Sequence, residues 1–284
     1  MRSRALLVLS WGAALIVPAS VGAMLWRLCA HGGPTLGLEL FFGDAPPLQA
    51  MLGRFPVWDG IWPAAAGTLS LLALTMALAL LPGVGCGVYL ACFAAPRAKR
   101  WLSLAVDLLA GVPSIVYGFF GLTTLVPLIR EMFGGRGRGQ CILTASLLLG
   151  IMILPTIIQL TSAAVKAVPN SYYEGSLALG ATDERSVFRA TVPAAKSGIL
   201  ASVVLAIGRA IGEAMAVKMV IGNQPRLTSD LLSGIRTLTS GIVIEMGYAE
   251  GLHREALIAA GIVLFVFILL INASFSVLKR REQQ

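Results

Sequence analysis

Long uncharged apolar runs recur along the chain, separated by short segments that carry nearly all of its charge. A helix needs about 20 apolar residues to cross the hydrocarbon core of a bilayer. By that measure the pattern predicts six spans, at about 5–26, 64–95, 102–128, 141–165, 198–221 and 256–277. The first run, Ala5–Trp26, follows Arg2 and Arg4 and includes the small stretch Ser20–Ala23, which resembles a signal-peptide cleavage site. A signal peptide's apolar region is only ~7–15 residues long, so a retained first helix is expected. No charge lies between Asp59 and Arg97, although Pro82, Gly83, Gly85 and Gly87 interrupt that interval. No polar hairpin divides it, which predicts one tilted or kinked helix rather than two. The third span carries Asp107 and Pro113, and the fourth carries Pro155. The fifth holds Arg209, Glu213 and Lys218, and Lys279, Arg280 and Arg281 follow the sixth.

Composition agrees with the pattern. The 284 residues are 57% hydrophobic and 13% charged, against about 25% charged in soluble domains. Too few polar side chains remain to cover a water-facing surface, so the chain is read as an integral membrane protein. Its net charge of +8 would suit nucleic acid in a soluble protein, but cytoplasmic loops collect Lys and Arg in any case. With the N-terminus inside, 12 of the 22 basic residues fall on the cytoplasmic side and eight outside, leaving Arg209 and Lys218 within the bilayer. Trp26, Trp58 and Trp62 then fall at outer boundaries and Trp101 at an inner one, as an interfacial aromatic belt requires. The basic balance is therefore topology, and no nucleic-acid partner is expected. Both termini are expected in the cytoplasm, with membrane lipid around the spans.

Cys29, Cys86, Cys92, Cys141, His31 and His253 are too scattered for a metal site. A Cys29–Cys141 disulfide stays open, since both lie near one face. The outer loop Gly134-Gly135-Arg136-Gly137-Arg138-Gly139 has two readings. It attracts an anion or an acidic partner, or it is a flexible turn whose arginines meet lipid headgroups.

Between spans four and five, residues 167–196 form a polar cytoplasmic segment. It runs Asn170-Ser171-Tyr172-Tyr173-Glu174-Gly175-Ser176-Leu177-Ala178-Leu179-Gly180, then Thr182-Asp183-Glu184, and later Val192-Pro193. A short helix ending at Gly180 is predicted, because glycine supplies a left-handed cap without strain. Thr182 or Asp183 then caps a second helix. Such a helix–turn–helix against the inner face suits mechanical contact with a soluble partner.

This segment resembles the coupling loop of the permease subunits of ATP-binding-cassette (ABC) importers. That loop reads Glu-Ala-Ala, then Gly four residues on, then Leu-Pro. Here Glu174, Gly180 and Pro193 are kept, while Gly175-Ser176 replace the alanines and Val192 the leucine. A second stretch, Leu109-Ala110-Gly111-Val112-Pro113-Ser114-Ile115-Val116-Tyr117-Gly118, looks like the third-helix signature of the phosphate-specific transport (Pst) permeases. Gly208-Arg209-Ala210-Ile211-Gly212-Glu213-Ala214-Met215, with Val220-Ile221-Gly222-Asn223, resembles the C-type subunit of that pair. So do Arg236–Thr239 and Glu245–Ala249. The resemblance runs from Phe41 onward and is most specific in the fifth helix. It implies an all-α membrane protein of the type I ABC importer permease class, a single domain over 1–284 with a cytoplasmic coupling helix. It further implies a bacterial inner-membrane location, a second homologous permease subunit as heterodimer partner, two ATP-binding subunits and an extracytoplasmic phosphate-binding protein. Glu174, Gly175, Ser176, Gly180 and Pro193 would carry ATPase coupling.

The fifth helix also supports a reading from the residues alone. At 100° per residue, Glu213 lies ~40° from Arg209 and one turn away, so the two are expected on one face. An ionised side chain at mid-membrane costs at least ~2.5–3.5 kcal/mol, so a pair on one face implies a polar interior. An arginine's planar fork suits a phosphate. Glu213 would hold the guanidinium while the path is empty. The alternative is a structural ion pair locking two helices. Lys218 points elsewhere and is expected to snorkel outward, and Gly208-x-x-x-Gly212 permits close helix approach. Ser114, Tyr117 and Asn223 are candidates along the path, with local helix hydrogen bonding as the plainer reading. Asp107 lies deep enough to need a partner that the sequence does not name.

No Gly-x-x-x-x-Gly-Lys-Ser/Thr motif occurs, so this chain is not expected to hydrolyse ATP; it carries no cofactor, and ATP is used by the partner subunits. The leading expectation is a permease subunit of an ATP-driven inorganic phosphate importer. Another oxyanion is the rival substrate. A stand-alone secondary anion transporter is the rival class, and would more naturally show internal repeats and discontinuous helices. An intramembrane enzyme finds no nucleophile–base pair or metal motif in the chain.

Overall fold

The computed structural model describes residues 2–53, 60–135 and 137–282, with side chains over 10–12, 14–53, 60–135 and 137–274. The calls made on Arg54, Trp58 and Arg136, and on the side chains of Arg2, Arg4, Lys279, Arg280 and Arg281, lie outside these residues. In chain order the helices are α1 (Arg2–Gly32), α2 (Leu38–Phe42), α3 (Pro47–Met51), α4 (Trp62–Val88), α5 (Pro96–Gly111), α6 (Ser114–Phe120), α7 (Val126–Met132) and α8 (Ile142–Lys166). There follow α9 (Asn170–Ala178), α10 (Asp183–Ser186), α11 (Val192–Ala194), α12 (Lys196–Gly212), α13 (Met215–Val220), α14 (Leu238–Glu245) and α15 (Gly251–Glu282). π-Helical turns at Tyr89–Phe93, Gly121–Leu125 and Val187–Thr191 extend α4, α6 and α10. Among the described residues there is no β-strand, only an isolated bridge between Gly222 and Ile235. Helices over Ser10–Gly32, Trp62–Phe93, Ser114–Met132, Ile142–Lys166 and Gly251–Ser274 are long and apolar enough to cross a membrane. The bent pair Asp183–Ala194 and Lys196–Gly212 supplies a sixth.

Helix α8 is the central post. It packs on α4, α12, α5 and α13. Ile142, Leu148, Leu149, Ile153 and Ile157 along it are each no more than 2% exposed. Small residues on α4 allow the closest of these approaches. A Cβ on Gly87 would stand 2.7 Å from Thr161 Cβ, and one on Gly83 2.8 Å from Ile157 Cγ2. Gly83 and Gly87 therefore serve packing, and the helix continues through them. On the α12 side, Thr161 Oγ1 and Ser202 Oγ share a hydrogen bond at 3.1 Å, a polar link between spans in a medium that offers no other partner. Helices α1 and α15 pack along each other at the margin.

Two expected spans are broken. The third, drawn at 102–128, divides at Val112-Pro113, and the helix long and apolar enough to cross runs only over Ser114–Met132, so α5 with Asp107 lies before it. Proline forces the residue before it out of the helical region, and Val112 is extended at ψ 127°. The Leu109 carbonyl left at this break accepts the Tyr117 hydroxyl at 2.8 Å. The fifth, drawn at 198–221, divides at Glu213-Ala214. Glu213 is extended at ψ 116°. Its carboxylate Oε1 accepts the Ala216 N–H at 3.1 Å, and its carbonyl accepts the Thr239 hydroxyl at 3.4 Å. Broken helices thus occur here without a stand-alone carrier being implied. Cys29 and Cys141 do not pair; both are free thiols, and Cys141 is buried beside Thr144. Trp26 and Trp101 are exposed, whereas Trp62 packs on Phe42 with ring centres 5.6 Å apart.

The α4–α8 contact is open to a direct test. Gly87→Val should destabilise the assembled protein by about 1–3 kcal/mol through overpacking. Gly85→Val, where nothing lies within 4 Å of an added Cβ, should change little. Thermal unfolding of the two variants in detergent checks the contrast.

Candidate functional site

Polar side chains from α5, α8 and α12 meet on an exposed face of the bundle. Arg209, three residues before the end of α12, donates from Nη1 to Thr156 Oγ1 at 3.1 Å. One turn along α8, Gln159 donates from Nε2 to Asp107 Oδ1 at 2.8 Å. Arg209, Gln159 and Asp107 are all exposed, and Thr156 is half-buried. Tyr117 is buried, with its hydroxyl on the Leu109 carbonyl of α5. Of the arginine's five N–H donors, the one bonded to Thr156 is engaged among the described residues.

The expected pairing of Arg209 with Glu213 does not form. The helical count that put them on one face stops at Gly212, and Glu213 turns back to cap α13. Among the described residues no ion pair joins the two. Thr156 takes the place assigned to Glu213 as the group that orients the guanidinium. Nothing in this chain lies within 4 Å of a Cβ built at Gly208 or Gly212. The small-residue pair beside Arg209 is open, not packed.

The remaining candidates separate. Ser114 opens α6 and is half-buried. Tyr117 spends its proton on the Leu109 carbonyl. Asn223 lies beyond α13 with φ 49°, and its amide donates to the Lys218 carbonyl at 2.7 Å, closing the end of that helix. Thr156 and Gln159 were missed in the sequence. Their signal was present, because they are polar residues three apart within an apolar span and so share a helical face. Asp107 acquires in Gln159 the partner that the sequence does not name.

At the opposite end of α8 from Ile142, the segment after Lys166 folds back as a helix–turn–helix. Gly180 ends it with φ +84°, a conformation that any side chain would strain. Thr182 caps α10 by accepting the Arg185 N–H. Ser176 Oγ accepts the Ser186 hydroxyl at 3.0 Å, and Asp183 Oδ1 accepts the Tyr173 hydroxyl at 2.9 Å. That bond to a carboxylate holds the Tyr173 phenol above its ordinary pKa. Glu174 and Gly175 are exposed on α9, and Leu179 at its C-terminal cap is 91% exposed. Pro193 lies in the first turn of α11, just before the 66° bend into α12. Val187 and Ala195 pack with Val88 of α4 and Val165 of α8, and Phe188 stacks on Phe93 at 6.1 Å. The segment is thereby joined to the ends of both spans.

On the far side of the bundle, Arg138, Gln140, Gln224 and Arg226 line a cavity of about 590 Å³. Arg236 pairs with Glu245, whose other oxygen lies 3.3 Å from His253 Nε2. Among the described residues no cluster of metal-ligating side chains forms.

Known proteins share this architecture. The structure superposes on an inward-facing MetNI methionine ABC transporter chain with a TM-score of 0.62, covering 79% of this chain and 98% of that one at 20% identity. It superposes equally, at 0.62, on a bacterial alginate ABC transporter chain, covering 95% and 93% at 14% identity. In sequence, the probable ABC transporter permease protein YqgH of Bacillus subtilis is 38% identical over 219 residues, 75% of this chain and 71% of that protein. The phosphate transport system permease protein PstC of Haemophilus influenzae is 32% identical over 281 residues, 92% of this chain and 85% of that protein. A further PstC, from Methanocaldococcus jannaschii and described as probable, is 33% identical over 259 residues, 83% of this chain and 79% of that protein. Residues 83–284 match the family described as binding-protein-dependent transport system inner membrane component. With its helical bundle, its folded-back segment after α8 and these relatives, the chain belongs to that family of multi-pass membrane transport subunits.

Proposed function

We propose that this chain is a permease subunit of an ATP-driven importer of inorganic phosphate and forms one wall of the anion path. The observation that carries this is Arg209, a guanidinium exposed on an intramembrane face with a single oriented bond to Thr156. A fixed positive charge at that depth offsets the desolvation of an oxyanion, and its paired donors match phosphate geometry. Relatives named for phosphate transport over most of the chain length support the same substrate.

A single bundle leaves this face uncovered, with Gly208 and Gly212 open beside Arg209. Small residues permit close approach of another helix, which fits a second, homologous permease subunit closing the path. The exposed surface of α9 is the docking surface for separate ATP-binding subunits, and its side of the membrane is the cytoplasm, where both termini also lie. The opposite face receives phosphate from an extracytoplasmic binding protein. This subunit has no ATPase activity of its own.

Two outcomes follow for the complete transporter reconstituted in vesicles. Arg209→Gln should abolish phosphate uptake while complex yield stays normal, and Arg209→Lys should keep part of it, since an ammonium restores charge without the fork. Uptake and yield measured together check this, and normal uptake in Arg209→Gln would remove the residue from the path. Retained uptake of a different oxyanion would instead reassign the substrate. Gly180→Val should sharply reduce substrate-stimulated ATP hydrolysis, because valine is strained at φ +84°. Full stimulated ATPase in that variant would refute the coupling role of α9.

A further inference from the structure

Asp107 is an exposed carboxylate on α5, held one turn along α8 from the residue that holds Arg209, beside a path read as carrying an anion. A bare negative charge there would repel the cargo, so its place needs a physical reason. Its single partner among the described residues is the Gln159 amide, at 2.8 Å. Arg209 is bonded to Thr156 at 3.1 Å. Thr156 and Gln159 are three residues apart on α8, so they share a face and differ by ~4.5 Å along the axis. The two opposite charges therefore rest on adjacent positions of one helix, each held by a neutral side chain. The other nearby carboxylate, Glu213, is occupied with the Ala216 N–H at the start of α13.

We propose that Asp107 is the resident counter-charge of Arg209. Between passages the guanidinium swings one turn along α8, from Thr156 to the carboxylate that Gln159 holds in place. An arriving oxyanion takes the guanidinium from Asp107, and the carboxylate reclaims it once the anion has moved on. The pair keeps the empty path free of net charge and prevents Arg209 from retaining its cargo. Asp107 acts through Arg209 and is a positioning residue for the path. The proposal rests on the reading of Arg209 as a path residue, and its test separates the two.

The test uses the complete purified transporter with Asp107→Asn, Arg209→Gln, the double variant and Asp107→Glu. Asp107→Asn leaves Arg209 without its counter-charge and should lower the melting temperature by about 2–4 °C. The double variant should recover to near the wild-type value, and Asp107→Glu should keep it. Non-additivity of this kind measures the pairing directly. Saturating inorganic phosphate should shrink the coupling, since the anion competes for the same guanidinium. Uptake should fall severalfold in Asp107→Asn and persist in Asp107→Glu. If Asp107→Asn fails to assemble alone, recovery in the double variant supports the pair and continued failure overturns it. Simple addition of the two single effects would overturn the pairing, and a coupling indifferent to phosphate would overturn the exchange. Normal uptake in Arg209→Gln would refute the path reading, whereas the melting-temperature cycle reports the pairing independently.

Discussion

Hydrocarbon offers no hydrogen-bond partner, so every polar group set inside the bilayer must be satisfied by the protein or by water that the protein admits. Both breaks in the expected third and fifth spans meet that demand with side chains from nearby. At Val112-Pro113 the exposed Leu109 carbonyl takes the Tyr117 hydroxyl. At Glu213-Ala214 the glutamate carboxylate fills the Ala216 N–H and Thr239 fills the freed carbonyl. The same demand falls on α8, whose Thr161 meets Ser202 while Thr156 and Gln159 serve Arg209 and Asp107. The demand is not met everywhere, since the buried hydroxyls of Thr75 on α4 and Ser146 on α8 have no hydrogen-bond partner.

The central position of α8 connects the strip of Arg209 and Asp107 to the folded-back segment after Lys166. Val165, near the end of α8, packs with Val187 and Ala195 of the folded-back segment and with Val88 of α4. The stacked Phe93 and Phe188 reinforce the joint. A displacement imposed on α9 therefore reaches a helix that also carries Thr156 and Gln159. Because α8 is closely packed along its length, with its large apolar residues almost wholly buried, it transmits such a displacement as a body.

Much of the fold was legible in the chain. Apolar run length marked the membrane-crossing helices, and the charge-free interval around Pro82 was readable as one helix because no polar hairpin divided it. The turn at Gly180 followed from a left-handed requirement that glycine meets best. Arg209 announced itself as a candidate through the cost of placing a charge at that depth. Less was legible where one residue's effect depends on contacts far away in sequence. Pro113 lay in plain view, but whether it kinks a helix or divides it depends on a substitute partner for the freed carbonyl, which Tyr117 supplies.

The sequence by itself determined that this is a membrane bundle with Asp107, Arg209, Glu213 and Lys218 set among apolar residues. It determined the helix–turn–helix after α8 as well, because both follow from local quantities: hydropathy over a turn count, and the backbone preference of single residues. Only the tertiary structure decided who partners whom. Glu213 shares a face with Arg209 only if the helix continues past Gly212, and the Thr239 hydroxyl together with the Ala216 amide makes ending it there tolerable. Asp107 and Gln159 are 52 residues apart, and Arg209 and Thr156 are 53 apart. Those pairings exist because α5 and α12 both pack against α8, and packing between helices is set by the shapes of whole surfaces, which no local pattern encodes.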